Sequence, residues 1–177
     1  EGIVSVDWLW STKNAAGNPL VSEVSYKDGI VHFTSDGTEG NTVLAAFDAK
    51  GEVIWSWHLW MTDQPELFAY DEGGELMDRN LGATSALEAD GAASFGLLYQ
   101  WGRKDPFMYP STFQQNSWNQ KVQAPATYMS GFEYTEITAT SEWEEMMSPE
   151  WAAAHPSNYI NPLFPQDWDD FPSVSDW

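Results

Sequence analysis

The sequence predicts a β-rich α+β protein, with an antiparallel β-sheet (sandwich-like) unit over residues 1–62 and a loop-rich region with a few short helices over residues 63–177. Three observations predict it. Apolar residues alternate at a period of two through most of the first sixty positions. Gly- and Asp-containing turn signals punctuate those runs at strand-length intervals. After Thr62 the alternation gives way to Pro, Gly, Asn and Gln, with only short helix-capping patterns among them.

The elements follow in order. Val4, Val6, Trp8 and Trp10 fall on one face of a first strand, and Gly17-Asn18-Pro19 marks the loop after it. Val21–Tyr26 and Ile30–Ser35 read as strands joined at Lys27-Asp28-Gly29, a hairpin signal. Thr42–Phe47 and Glu52–Met61 form a second hairpin through Asp48-Ala49-Lys50-Gly51. In its second arm Val53, Trp55, Trp57, Leu59 and Met61 share one face and Ile54, Ser56, His58 and Trp60 the other. Both faces are largely apolar, which predicts a strand covered on two sides.

Beyond Thr62, Asp63–Leu76 reads as loop, Leu76–Gly82 as a short strand entering a turn, and Ser85–Ala93 as an exposed loop. Ser94 is placed to cap a buried helix, Phe95–Trp101, closed by Gly102. Asp105–Tyr134 is Pro-, Asn- and Gln-rich and predicts ordered irregular structure or functional loops. Ser141-Glu142-Trp143-Glu144 is a capping box opening a helical turn to Met147. Ser148-Pro149 caps a second helix through Ala154, with Pro at its first position, and His155-Pro156 stops it. From Asn158 onward there is no periodicity.

Charge narrows the partners. Seven Lys and Arg against 27 Asp and Glu give a net charge of -20, which argues against nucleic acid and against docking on an anionic membrane surface. No apolar run approaches membrane-spanning length, so no direct membrane insertion is expected within this chain. The absence of Cys excludes disulfides, thiolate catalysis and Cys-ligated zinc. Eleven Trp supply large faces suited to the edges of cores and to binding surfaces.

Three of the seven bases lie in two short motifs, Met77-Asp78-Arg79-Asn80-Leu81-Gly82-Ala83 and Tyr99-Gln100-Trp101-Gly102-Arg103-Lys104-Asp105-Pro106-Phe107. Asp78, Arg79, Asn80, Trp101, Arg103 and Asp105 are the candidate structural site. Its guanidiniums either lock irregular backbone through Asp78, Asp105 and carbonyl groups, or bind a sugar acid or a carboxylate terminus. His58 sits among aromatic residues of a strand and reads as a hydrogen-bonded core residue rather than a catalyst. His32 and His155 lack the spacing of a zinc site. Acidic clusters are the candidate metal ligands, Asp167, Asp169 and Asp170 or Asp36, Glu39 and Asn41, with calcium the cation that such oxygens would take. Trp118, Tyr128, Trp143, Trp151, Tyr159 and Trp168 in the second half either stack on pyranose rings or plug a loop-rich core.

The runs Glu39–Ala45, Ile54–Asp63 and the two motifs above resemble, in order and spacing, the Fibrobacter succinogenes major paralogous domain family, over roughly residues 39–107. That family is found on surface lipoproteins and fimbria-associated proteins of Bacteroidetes. The resemblance implies a C-type-lectin-like fold for residues 63–177 and a location at the cell surface, outer-membrane anchored through a segment not in this chain. Family members continue past the position of Trp177, so the chain is expected to be part of a longer protein, incomplete at its C-terminus. The function expected is a non-catalytic cell-surface module for adhesion or glycan binding, its partner a glycan or a host or neighbouring surface protein. A structural subunit of a surface fibre or lipoprotein complex is the alternative. A carbohydrate-active enzyme is the third, and nothing in the sequence picks its two carboxylates from 27.

Overall fold

A computed structural model describes residues 2–71, 73–100, 103–107, 126–130, 135–138 and 148–161, with backbone alone at 126–128, 135–138 and 159–161. In chain order the strands are β1 (Ser5–Thr12), β2 (Val21–Lys27), β3 (Ile30–Ser35), β4 (Gly40–Phe47), β5 (Val53–Met61), β6 (Leu67–Tyr70) and β7 (Gly74–Met77). A 3-10 helix follows over Glu88–Ser94, then β8 (Ala126–Tyr128), β9 (Thr135–Thr138), helix α1 (Pro149–Ala154) and β10 (Asn158–Asn161). The protein is β-rich, its sheets mainly antiparallel and its helices few.

The main sheet runs β5-β4-β1-β8, antiparallel at every junction. β4 lies inside it and is buried along nearly its whole length, its small Ala45 and Ala46 letting both faces be covered closely. One face collects Val6, Leu44 and Ala46 and is covered by Val21, Val24, Tyr26 and Val31 of the β2–β3 hairpin. Leu9, Trp10, Val43 and Ala45 form a second core cluster, against which Leu97 and Met129 pack. Burying these side chains is the main favourable term holding the sheet, at about 25 cal/mol per Å² of apolar surface.

The predicted β2–β3 and β4–β5 hairpins are both present. Lys27 pairs with Ile30, leaving a two-residue loop in which Asp28 (φ 54°) and Gly29 (φ 81°) are both left-handed. That is the geometry which matches strand twist, and Asp-Gly adopts it readily. α1 also forms as predicted, with Ser148 Oγ accepting from Trp151 N and Pro at the first turn.

Four expectations are corrected. The first strand does not keep one face, because the register shifts between Trp8, opposite Leu44, and Trp10, opposite Val43. This bulge leaves Val6 and Trp8 on one side of the sheet and turns Trp10 to the other. β5 is half-buried or buried on both faces except at Trp55, which remains 44% exposed, and among the described residues it is an end strand of the sheet. The span Asp63–Leu76 is not loop but contains the β6–β7 hairpin. Phe95–Trp101 is not a helix over its described residues. Two short helical turns on either side of a kink at Gly91 fall instead within Glu88–Ser94, where an exposed loop is expected, and Phe95 is the C-cap. Gly96 at φ 74° and the backbone bonds Leu97 N to Leu81 O and Leu98 N to Phe107 O take this segment into extended pairings. The capping box at Ser141–Met147 lies outside the described residues.

Candidate functional site

The first motif acts as a fastening. Arg79 Nε and Nη2 donate to the two carboxylate oxygens of Asp78 at 2.9 and 3.0 Å, and Nη1 donates to Asp63 Oδ1 at 2.5 Å and Thr62 Oγ1 at 3.1 Å. One guanidinium therefore ties the end of β5 to both stems of the β6–β7 hairpin. Its charge holds the Asp78 and Asp63 carboxyls below the usual carboxylate range, through the hydrogen bonds first and the Coulomb attraction second. Asn80 follows, reaching the carbonyls of Ser94 and Phe95 at 3.4 Å. Gly82 O accepts from Asn41 Nδ2 at 2.8 Å and Ala83 O from Trp60 Nε1 at 3.0 Å, so the turn is bound onto β4 and β5.

His58 belongs to the same knot. Because Asn41 Nδ2 donates to Gly82, its Oδ1 is left to accept, so the 2.9 Å contact with His58 Nε2 places the imidazole proton on Nε2. Burial pushes His58 down to about 4, opposed by Asp105. A neutral, hydrogen-bonded histidine of this kind is a structural group.

The second motif joins β5 to α1. Asp105 is almost fully buried, accepting from Ser56 Oγ at 2.6 Å and from Lys104 Nζ at 2.8 Å. Lys104 Nζ also donates to Ser56 O at 2.8 Å and to Ser56 Oγ, so all three ammonium donors are engaged. The bond to Ser56 O occupies a carbonyl on the end strand of the sheet, a position that open edges often protect with Lys. Arg103, 8% exposed, donates through Nη2 to His155 O, and its guanidinium carbon lies 5.4 Å from the Phe107 ring centroid and 5.5 Å from that of Trp151. Its Nε and Nη1 are buried without a hydrogen-bond partner among the described residues. Burial pushes Arg103 down to about 10, partly offset by Asp105. Trp151 in turn stacks on His155 at 4.0 Å and 8°.

Both guanidiniums thus meet acids, carbonyls or aromatic faces of the chain itself. Asp78, Arg79 and Asn80 come together in one cluster, and Arg103 and Asp105 in another. Trp101, Trp118, Trp143 and Trp168, together with Asp167, Asp169 and Asp170, lie outside the described residues. Tyr128 and Tyr159 are placed by their backbones in β8 and β10. Of the six aromatics that either stack on a ligand or plug the core, Trp151 has a described side chain, half-buried against Arg103 and His155.

Among the described residues, no three His, Asp or Glu side chains gather as a cation site. Asp36 accepts from Asn14 and Thr38, Glu39 accepts from Asp63 N, and Asn41 turns inward to Gly82 and His58, so that cluster does not converge. No described helix is long and apolar enough to cross a membrane.

Beside the second motif lies a cleft of about 200 Å³ between β5 and α1, lined by Trp55, Lys104, Pro149, Glu150, Ala152 and Ala153, and a shallower opening of about 400 Å³ lies beside the first, lined by Asp78, Arg79, Asn80 and Glu88 among others. The Lys104 ammonium sits 4.7 Å from the Trp55 ring centroid and orients the indole while leaving it 44% exposed. Glu150 is exposed at the start of α1 and is the acidic residue of the lining. Sequence reasoning did not find this group. Periodicity places Trp55 on a strand face expected to be covered, and of this group the sequence singles out Lys104 alone, as a scarce base beside Asp105.

No family model, no curated protein and no solved structure matches the chain. The resemblance to the major paralogous domain family rests on the motifs themselves.

Proposed function

We propose that this chain is a non-catalytic cell-surface module for adhesion through glycan binding, within the major paralogous domain family, and that residues 63–177 have a C-type-lectin-like organisation. The observation that carries the reading is the half-exposed Trp55 indole on the wall of a 200 Å³ cleft beside Glu150. An indole face stacks on the C–H face of a pyranose, and a neighbouring carboxylate accepts from sugar hydroxyls. Lys104 has no donor to spare, so it holds the ring rather than the ligand. An acidic residue in the cleft lining and a net charge of -20 favour neutral over acidic glycans.

A glycan array read together with tryptophan fluorescence tests this. Neutral glycans are expected to bind and quench emission, and Trp55→Ala is expected to abolish both signals while leaving the fold intact. Silence of the wild-type protein across the array, or binding that survives Trp55→Ala, would overturn the proposal.

A further inference from the structure

The β6–β7 hairpin carries an apolar face that nothing in the described structure covers. Its register pairs Phe68 with Leu76 and Tyr70 with Gly74, so Phe68, Tyr70 and Leu76 project from one side. They are 51, 57 and 57% exposed. The face is not an idle loop tip. Asp78 N donates to Glu66 O at 2.9 Å across the stem, and Arg79 clamps Asp63 on one side of the stem and Asp78 on the other. The clasp holds the ribbon in a fixed position.

Two properties define what fits it. A two-stranded ribbon is marginal alone, and among the described residues β6 and β7 pair only with each other, so both outer edges are open to a third strand. The sequence from Asp63 to Asp78 holds six acids and no Lys or Arg. Asp63 and Asp78 face Arg79, whereas Glu66, Asp71 and Glu75 are exposed, with no Lys or Arg paired to them among the described residues. A second copy of this chain would bring the same acids to the contact, and self-repulsion at a net charge of -20 opposes it.

We propose that this hairpin is a docking ribbon for an extended segment of a partner protein that alternates apolar with Lys or Arg side chains. The apolar set covers Phe68, Tyr70 and Leu76 on one side, and the bases meet Glu75 on the other side and Asp71 at the turn, with Glu66 adding to the acidic field at the stem. The segment adds as a third strand. This surface is separate from the Trp55 cleft, and neither proposal depends on the other.

The test uses two synthetic peptides of equal length and charge, one alternating Leu and Lys, the other Ser and Lys. Binding to the whole chain is followed by calorimetry and by amide exchange across residues 67–77. The Leu–Lys peptide is expected to bind at least about tenfold more tightly than the Ser–Lys peptide and to protect the ribbon amides. Phe68→Ser/Tyr70→Ser/Leu76→Ser is expected to remove that difference, and Glu66→Gln/Asp71→Asn/Glu75→Gln to weaken both peptides. Equal binding of the two peptides to the wild-type protein would mean charge attraction alone and overturn the proposal. So would protection falling elsewhere, or a dimer in sedimentation whose amide protection lies on the ribbon.

Discussion

Arg79 lies 2.5 Å from Asp63, a residue 16 positions earlier, while gripping its own neighbour Asp78 with both remaining nitrogens. The contact closes the stem of the β6–β7 hairpin with a charge-assisted fork, a geometry that Lys cannot reproduce. The most basic group in this part of an acidic chain therefore serves the backbone.

Arg79→Lys is expected to loosen the hairpin without unfolding the sheet. Amides over 67–77 should exchange about tenfold faster or more, while those of β4 stay protected. Acid should act in the same direction. Asp63 and Asp78 have folded-state values below the ordinary 3.8, so their contribution is present above 3.8 and is lost as pH falls through the lower folded values. Exchange measured down a pH series, corrected for intrinsic rates, checks both. Unchanged ribbon exchange in Arg79→Lys would refute the clasp.

His58 predicts a second pH window. In the unfolded chain it titrates near 6.5 and in the fold at about 4, so between those values only the unfolded state takes up the proton. Stability is complete above 6.5, falls as pH drops towards 4, and is flat in this term below that. The full loss is on the order of 3 kcal/mol. His58→Gln keeps a donor for Asn41 Oδ1 and should flatten the dependence between pH 6.5 and 4, as read by urea midpoints. A slope identical to wild type would show that another group is responsible.

Gly96 should tolerate no side chain. Its φ is +74°, and a Cβ there would stand 2.7 Å from Leu81 O and 2.8 Å from Asn80 Cβ. The carbonyl belongs to the backbone that pairs with Leu97 N, so it cannot swing aside. Gly96→Ala is expected to cost about 2 kcal/mol or more in urea denaturation. Gly91→Ala is the control, since its φ is also positive and its Cβ would meet nothing within 4 Å.

Arg103 is a buried cation with one hydrogen bond and two unpartnered nitrogens among the described residues. Arg103→Met removes that desolvated charge and keeps an unbranched side chain between Phe107 and Trp151. Its stability is expected within about 1 kcal/mol of wild type. A loss on the order of 4 kcal/mol would show instead that the guanidinium is fully compensated.

Residues whose partners are near in sequence were readable from it. Asp28-Gly29 names its own turn, because few dipeptides accept two consecutive left-handed residues. Ser148 and Pro149 name a helix start, because one supplies the acceptor and the other lacks an amide to satisfy. The strands of the two long hairpins followed from period and turn chemistry in the same way.

Tertiary structure decided what periodicity does not encode. The bulge after Trp8 turns Trp10 to the other face, since Leu9, Trp10 and Val43 bury better together than strict alternation would allow. β5 alternates like a central strand but stands at the end of the sheet among the described residues, because lateral position depends on which strands find β4. The predicted helix after Ser94 gave way to pairing of Leu97 with Leu81 and Leu98 with Phe107, both non-local. The two motifs stood out in the sequence as scarce positive charge beside acids. That Arg79 would reach back to Asp63, and Lys104 to Ser56, followed only from the fold, because such partners are chosen by proximity in space.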